Sequence, residues 1–173
     1  MWSFNIPFPI YRRYAFGKEP FIVRSWKDHP VSEYLSTNRA AFFKLFHLTA
    51  GNGRLIAGLH NHLLKPGDVA FVSPHELVLW RTFTDDIAGH FCFVHPRYFK
   101  HANHVLDMFL HFPYAHPADA VVCLNRTQSE TVQQCFERMH QEAVGNYDDR
   151  KQAILLHLQM ILLEVRRAAR TNS

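Results

Sequence analysis

Between residues 21 and 94 apolar and polar positions come in short runs ended by turn residues, the pattern of strands in a folded β-domain. The runs are Phe21–Trp26, Phe42–Thr49, Arg54–Gly58, His60–Leu64, Val69–Ser73, Leu77–Phe83 and Ala88–Val94. Gly51 and Gly53 permit the positive φ that a tight hairpin needs. In Lys65-Pro66-Gly67-Asp68, proline suits the second position of a β-turn and glycine the third. Strands spaced by roughly 8–12 residues predict a sandwich or barrel.

The period changes after Pro96. Pro96–Lys100 and Asn103–Phe112 read as short helices, and Pro113 to Pro117 as irregular chain. Thr127-Gln-Ser-Glu130 matches a capping box, so a helix is expected from there, its face formed by Val132, Cys135, Phe136, Met139 and Ala143, with a stop at Gly145-Asn146. A second helix runs from Asp148 to Arg170, acidic at its start and basic at its end, as the helix dipole favours. Its apolar stripe is Ile154, Leu155, Leu158, Ile161, Leu162 and Val165. The stretch Ile154–Leu163 is nearly all apolar, so one face packs on the β-domain and a further face is left for a second copy of the chain. The result is an αα-hairpin on a β-domain, with no internal repeat.

Composition narrows the class. With 173 residues the chain makes one domain, and 47% hydrophobic against 20% charged residues excludes a disordered tail. A net charge of +4 is too small to argue for nucleic-acid binding by this domain. Cys92, Cys123 and Cys135 are odd in number and lack CxxC spacing, which points to a reducing cytoplasm rather than a disulfide framework. No apolar stretch is long enough to span a membrane. The N-terminus is apolar but interrupted by Pro7 and Pro9, and no basic residue precedes the apolar run, so it reads as an arm over residues 1–20 rather than a signal peptide.

The run Phe42-Phe-Lys-Leu-Phe-His-Leu-Thr-Ala-Gly-Asn-Gly53, then Leu64-Lys-Pro-Gly-Asp-Val-Ala-Phe-Val-Ser-Pro74, then Trp80 and Gly89-His-Phe-Cys-Phe-Val94, together with the helix pair, resembles the N-terminal effector-binding and dimerisation domain of AraC-type transcriptional regulators over roughly residues 20–170. The resemblance implies a mainly β fold with C-terminal helices: a cupin-like β-barrel (a jelly roll) over 21–95, short helices and a connection over 96–126, and a helical hairpin over 127–171 that dimerises through Ile154, Leu155, Leu158, Ile161, Leu162 and Val165. It also implies a small effector in the barrel, and DNA binding through a C-terminal domain with two helix-turn-helix motifs. No such pattern follows the hairpin before Ser173, so the expectation is either the regulatory half of a longer chain or a stand-alone sensor.

Thirteen histidines invite a metal, and cupin enzymes share the barrel. His60-Asn61-His62 has the two-residue spacing that puts both imidazoles on one strand face. Leu63-Leu64-Lys65 follows without a carboxylate, and Asp68 belongs to the turn, so no metal or other cofactor is expected and His60 and His62 remain weak candidates. The competing reading is a metal-dependent cupin dioxygenase or isomerase. Nucleophile-elbow, HExxH and phosphate-loop motifs are missing, and Ser73-Pro74-His75-Glu76 reads as a turn, so a binding module without catalysis is favoured. Phe43, Leu45, His47, His62, Phe71, Trp80 and Phe93 are the candidate lumen residues, joined by Trp2, Phe4 or Tyr11 of the arm. Alternation fixes which residues share a face, not which face points inward. Lys44 and Arg81 suggest an anionic or sugar-like effector unless they face solvent.

Overall fold

The computed structural model describes residues 19–31, 35, 40–111 and 116–172, so the arm residues Trp2, Phe4 and Tyr11 lie outside the described residues. Among the described residues eight strands and three α-helices follow one another. The strands are β1 (Phe21–Ser25), β2 (Phe43–Ala50), β3 (Gly53–Ala57), β4 (His60–Leu64), β5 (Asp68–Val72), β6 (Val78–Thr82), β7 (Ala88–Val94) and β8 (Val121–Cys123). The helices are α1 (Asn103–Phe109), α2 (Arg126–Val144) and α3 (Arg150–Thr171), with short 3-10 turns at Pro96–Phe99 and Pro117–Asp119.

Strand pairing gives two antiparallel sheets, ordered β1-β7-β2-β5-β8 and β4-β3-β6. Among the described residues no ladder joins the two sheets, so the strands form two facing antiparallel layers and no closed barrel is seen. The large sheet buries both faces. Val23, Phe43, Leu45, Val69, Phe71, Cys92 and Val94 pack against the helices, while Ile22, Phe46, Leu48, Ala70, Val72, Phe91 and Phe93 meet the small sheet. Three layers result, and the central strands β2 and β5 consequently carry near-continuous apolar runs.

Turn chemistry performs as its residues dictate. Gly67 takes φ +92° behind Pro66, and the Asp68 carboxylate accepts from the Lys65 backbone N–H at 2.9 Å, which ties the turn to the start of β5. Gly89 sits at φ +128° beside a register shift between Leu48 and Ala50, where a side chain would collide with the His47 carbonyl oxygen.

The helical capping box lies two residues earlier than expected. Asn125, not Thr127, caps α2: its side chain accepts from the Gln128 backbone N–H at 2.9 Å, and Gln128 Oε1 accepts from the Asn125 N–H at 3.0 Å. Glu130 instead pairs with Arg126 at 3.0 Å. The reason is upstream. Leu124 donates its N–H to the Gly67 carbonyl at 2.9 Å, so the chain is held in the sheet up to Leu124 and turns into helix at the next residue.

Candidate functional site

The two layers between sheets and helices each contain polar groups that a purely structural core would lack. The first lies between the sheets. Strand β2 alternates Phe46 and Leu48 into this layer, and the same parity sends Lys44 there, opposite Phe93 on β7 and Val72 on β5. Lys44 is only 2% exposed. Its ammonium donates to the Phe42 carbonyl at 3.1 Å and lies 6.0 Å from the centre of the Phe93 ring. Burial pushes its pKa down to about 8. From Phe93 a series of rings leads away: Phe46 at 5.9 Å, Trp26 at 6.2 Å from Phe46, and Trp80 at 4.8 Å from Trp26.

Trp80 projects from β6 over Gly53 of the neighbouring strand, where a methyl group would collide with the indole. Gly53→Ala is therefore expected to displace Trp80 and cost about 1–3 kcal/mol through overpacking. Tryptophan emission that changes along with a lower urea midpoint is the expected reading, and an unshifted spectrum would show that the indole lies elsewhere.

The second polar cluster sits between the large sheet and α2. His47, fully buried, stands directly opposite His90 on β7, and both rings lie parallel to Phe136 of α2, with an interplanar angle of 8° and centroids at 6.1 and 5.5 Å. His47 Nε2 meets Ser129 Oγ at 2.9 Å, while Nδ1 of each histidine is buried without a partner among the described residues. The unpaired atom is cheapest as a lone pair, so Nε2 of His47 carries the proton and donates to Ser129. Burial, reinforced by His90, holds His47 down to about 4, and burial also lowers His90.

The structure therefore divides the seven candidate lumen residues. Phe93 and Trp80 face the layer between the sheets, whereas Phe43, Leu45, His47 and Phe71 face the helices. His62, half-buried at the layer's margin, uses Nε2–H to donate to the Pro117 carbonyl at 2.9 Å, and its ring stands 6.4 Å from that of exposed His60. Among the described residues no three histidine, cysteine or acidic side chains come together to hold a metal ion. Arg81 faces the opposite side of the small sheet, beside Arg54, and both guanidiniums rest on Phe83 at 5.7 and 5.5 Å. Lys44 and the aromatic residues Trp26, Phe46 and Phe91 are among the residues of this layer missing from the candidate set.

The hairpin tells a similar story. Ile154, Leu158, Ile161, Leu162 and Val165 are buried within the chain against α2 and the large sheet, and Leu155 is partly buried beside them. The apolar groups that α3 leaves outside are Leu156, 61% exposed, and Met160, 43% exposed, with Leu163 half-buried one turn further on. No helix among the described residues is long and apolar enough to cross a membrane.

No family model and no curated protein matches this sequence. The fold itself is similar to one seen in AraC-like transcription regulators. One similar solved structure is that of the AraC-like transcriptional activator CuxR, with a TM-score of 0.51 at 13% sequence identity, covering 84% of this chain and 48% of that one. The chain thus spans about half the length of the regulator it resembles, and at that identity the likeness is one of fold.

Proposed function

We propose that this chain is the regulatory domain of an AraC-type transcription regulator, a cytoplasmic binding module without catalysis. In this reading the two facing sheets do the work of a cupin-like barrel and hold a small effector. The helical hairpin joins two copies, and a C-terminal domain outside this sequence contacts DNA. The observation that supports it is the similarity of fold to an AraC-like activator over 84% of this chain, whose own elements are two sheets followed by a helical hairpin. Effector binding would act by shifting the equilibrium between arrangements of the hairpin, which requires different affinity for each.

The dimerising residues in this reading are the outward pair Leu156 and Met160, since the inward stripe already serves the intrachain core. Sedimentation velocity at micromolar concentration is expected to find a dimer, and Leu156→Glu combined with Met160→Glu is expected to give a folded monomer. Leu158→Glu, fully buried, is expected to unfold the chain instead. A wild-type monomer at that concentration would sink the dimer, and an unchanged dimer in the double variant would move the interface off this face.

A further inference from the structure

We propose that the effector held between the sheets is a small aromatic or apolar monocarboxylate whose anionic group pairs with the Lys44 ammonium; the proposal rests on the effector-binding reading above. Lys44 is the starting point because its position is expensive. A charge taken out of water must be compensated, and among the described residues the Phe42 carbonyl is its one polar partner. An ammonium has three N–H donors, so two remain for a ligand.

The ligand's charge follows from the cations in the layer. Among the described residues Arg24 is the other cation on that face of the large sheet, and it stands 4.0 Å from Glu19. Arg54 and Arg81 belong to the far side of the small sheet. One uncompensated cation matches one negative charge. A phosphate dianion needs more donors than Lys44 supplies, and a neutral sugar can accept its hydrogen bonds but leaves its charge uncompensated. At neutral pH the group, although held down to about 8, is still mostly protonated.

The body of the ligand follows from the rings. Phe93, Phe46, Trp26 and Trp80 form a continuous aromatic series that begins at the ammonium and ends at half-buried Trp80. In its chemistry a flat or short apolar group attached to a carboxylate matches that sequence of one cation and several rings.

The experiment is a thermal-shift and calorimetric titration of the whole chain with benzoate, phenylacetate and octanoate. Their primary amides and a neutral hexose serve as controls, on the wild type and on Lys44→Met. At least one acid is expected to bind and raise Tm, its amide to bind at least about tenfold more weakly, and Lys44→Met to lose at least about tenfold in affinity. Unliganded Lys44→Met is expected to melt higher than the wild type, because an uncompensated buried charge has gone. Should that variant fail to fold, Lys44→Arg keeps the charge and is expected to keep the preference for acid over amide. Equal binding of acid and amide, undiminished binding by Lys44→Met, or no binding of any of the three acids at millimolar concentration overturns the proposal. Binding of the hexose instead would overturn the charge while leaving the regulatory reading intact, and that reading stands or falls separately on the dimer.

Discussion

Phe136→Ala is expected to destabilise the domain by about 3–5 kcal/mol, the range for emptying an aromatic site in a close-packed core. Phe136 is fully buried at the centre of α2, and its ring is the surface on which both His47 and His90 lie. Truncation removes more than apolar area. It opens a void beside two imidazoles whose Nδ1 atoms have no partner, and water entering there would meet polar groups on one side only. Since α2 also packs along α3, loosening it frees the hairpin as a unit. Against a total stability of about 5–15 kcal/mol, that loss is large. Phe136→Leu, closer in volume, should cost less than half as much. Urea unfolding monitored by circular dichroism supplies the measurement: a lower midpoint at an unchanged slope is expected. A loss below about 1 kcal/mol would mean that α2 does not rest on the sheet through this ring.

The strands were legible in the sequence because turns and alternation agree. Ala88–Val94 and His60–Leu64 stand where the pattern puts them, and the other runs differ from β1, β2, β3, β5 and β6 by a residue or two at their ends. β8 was not legible: Val121–Cys123 is three residues long, too short to show a period, and its pairing with β5 is a tertiary event. The α2 start was ambiguous for a physical reason. Asn125–Gln128 and Thr127–Glu130 both satisfy the capping pattern, and the choice between them depends on where the sheet releases the chain. Closure was also beyond the sequence, because barrel and sandwich place the same alternating strands and differ only in long-range pairing.

The candidate site was legible as a set of strands but not as a face. On β2 both faces are covered, so Phe43, Leu45 and His47 are as buried as Lys44 and Phe46, and no hydrophobic contrast distinguishes them. The one available signal was Lys44 itself, a cation in the middle of Phe42-Phe43-Lys44-Leu45-Phe46, where a solvent-facing residue would imply a solvent-facing row. The α3 stripe had a parallel ambiguity. Ile154, Leu158, Ile161 and Val165 share the 3.6-residue period, while Leu156, Met160 and Leu163 repeat with nearly the same spacing on another side. Packing against α2 chose the first set for the core and left the second outside.

Acidification is expected to weaken the sheet–helix contact through His47, and the sign follows from its environment. The imidazole has an ordinary pKa of 6.5 in the unfolded chain and about 4 in the folded domain, depressed by burial and then by His90. Between those values the unfolded state binds the proton and the folded state does not, so stability falls as pH drops from about 6.5 to about 4 and is fully present above that window. The whole effect is about 3 kcal/mol. Structure gives the same direction without the pKa. A proton added to Nδ1 has no acceptor among the described residues, and the ring it charges is stacked on Phe136 in a fully buried position. The charged and titrating neighbours do not reverse this: Glu137 raises His90 while His140 lowers it, and burial leaves His90 depressed, adding to the loss. His47→Leu tests the assignment, since half-buried Ser129 lines an open groove of about 310 Å³ with Pro66, Gly67 and Asn125 and can hydrogen-bond to water once its partner is gone. Unfolding free energies at pH 4.5 and 7 should differ by about 2–3 kcal/mol less in that variant than in the wild type. Equal pH dependence in the two proteins would assign the acid sensitivity to other groups.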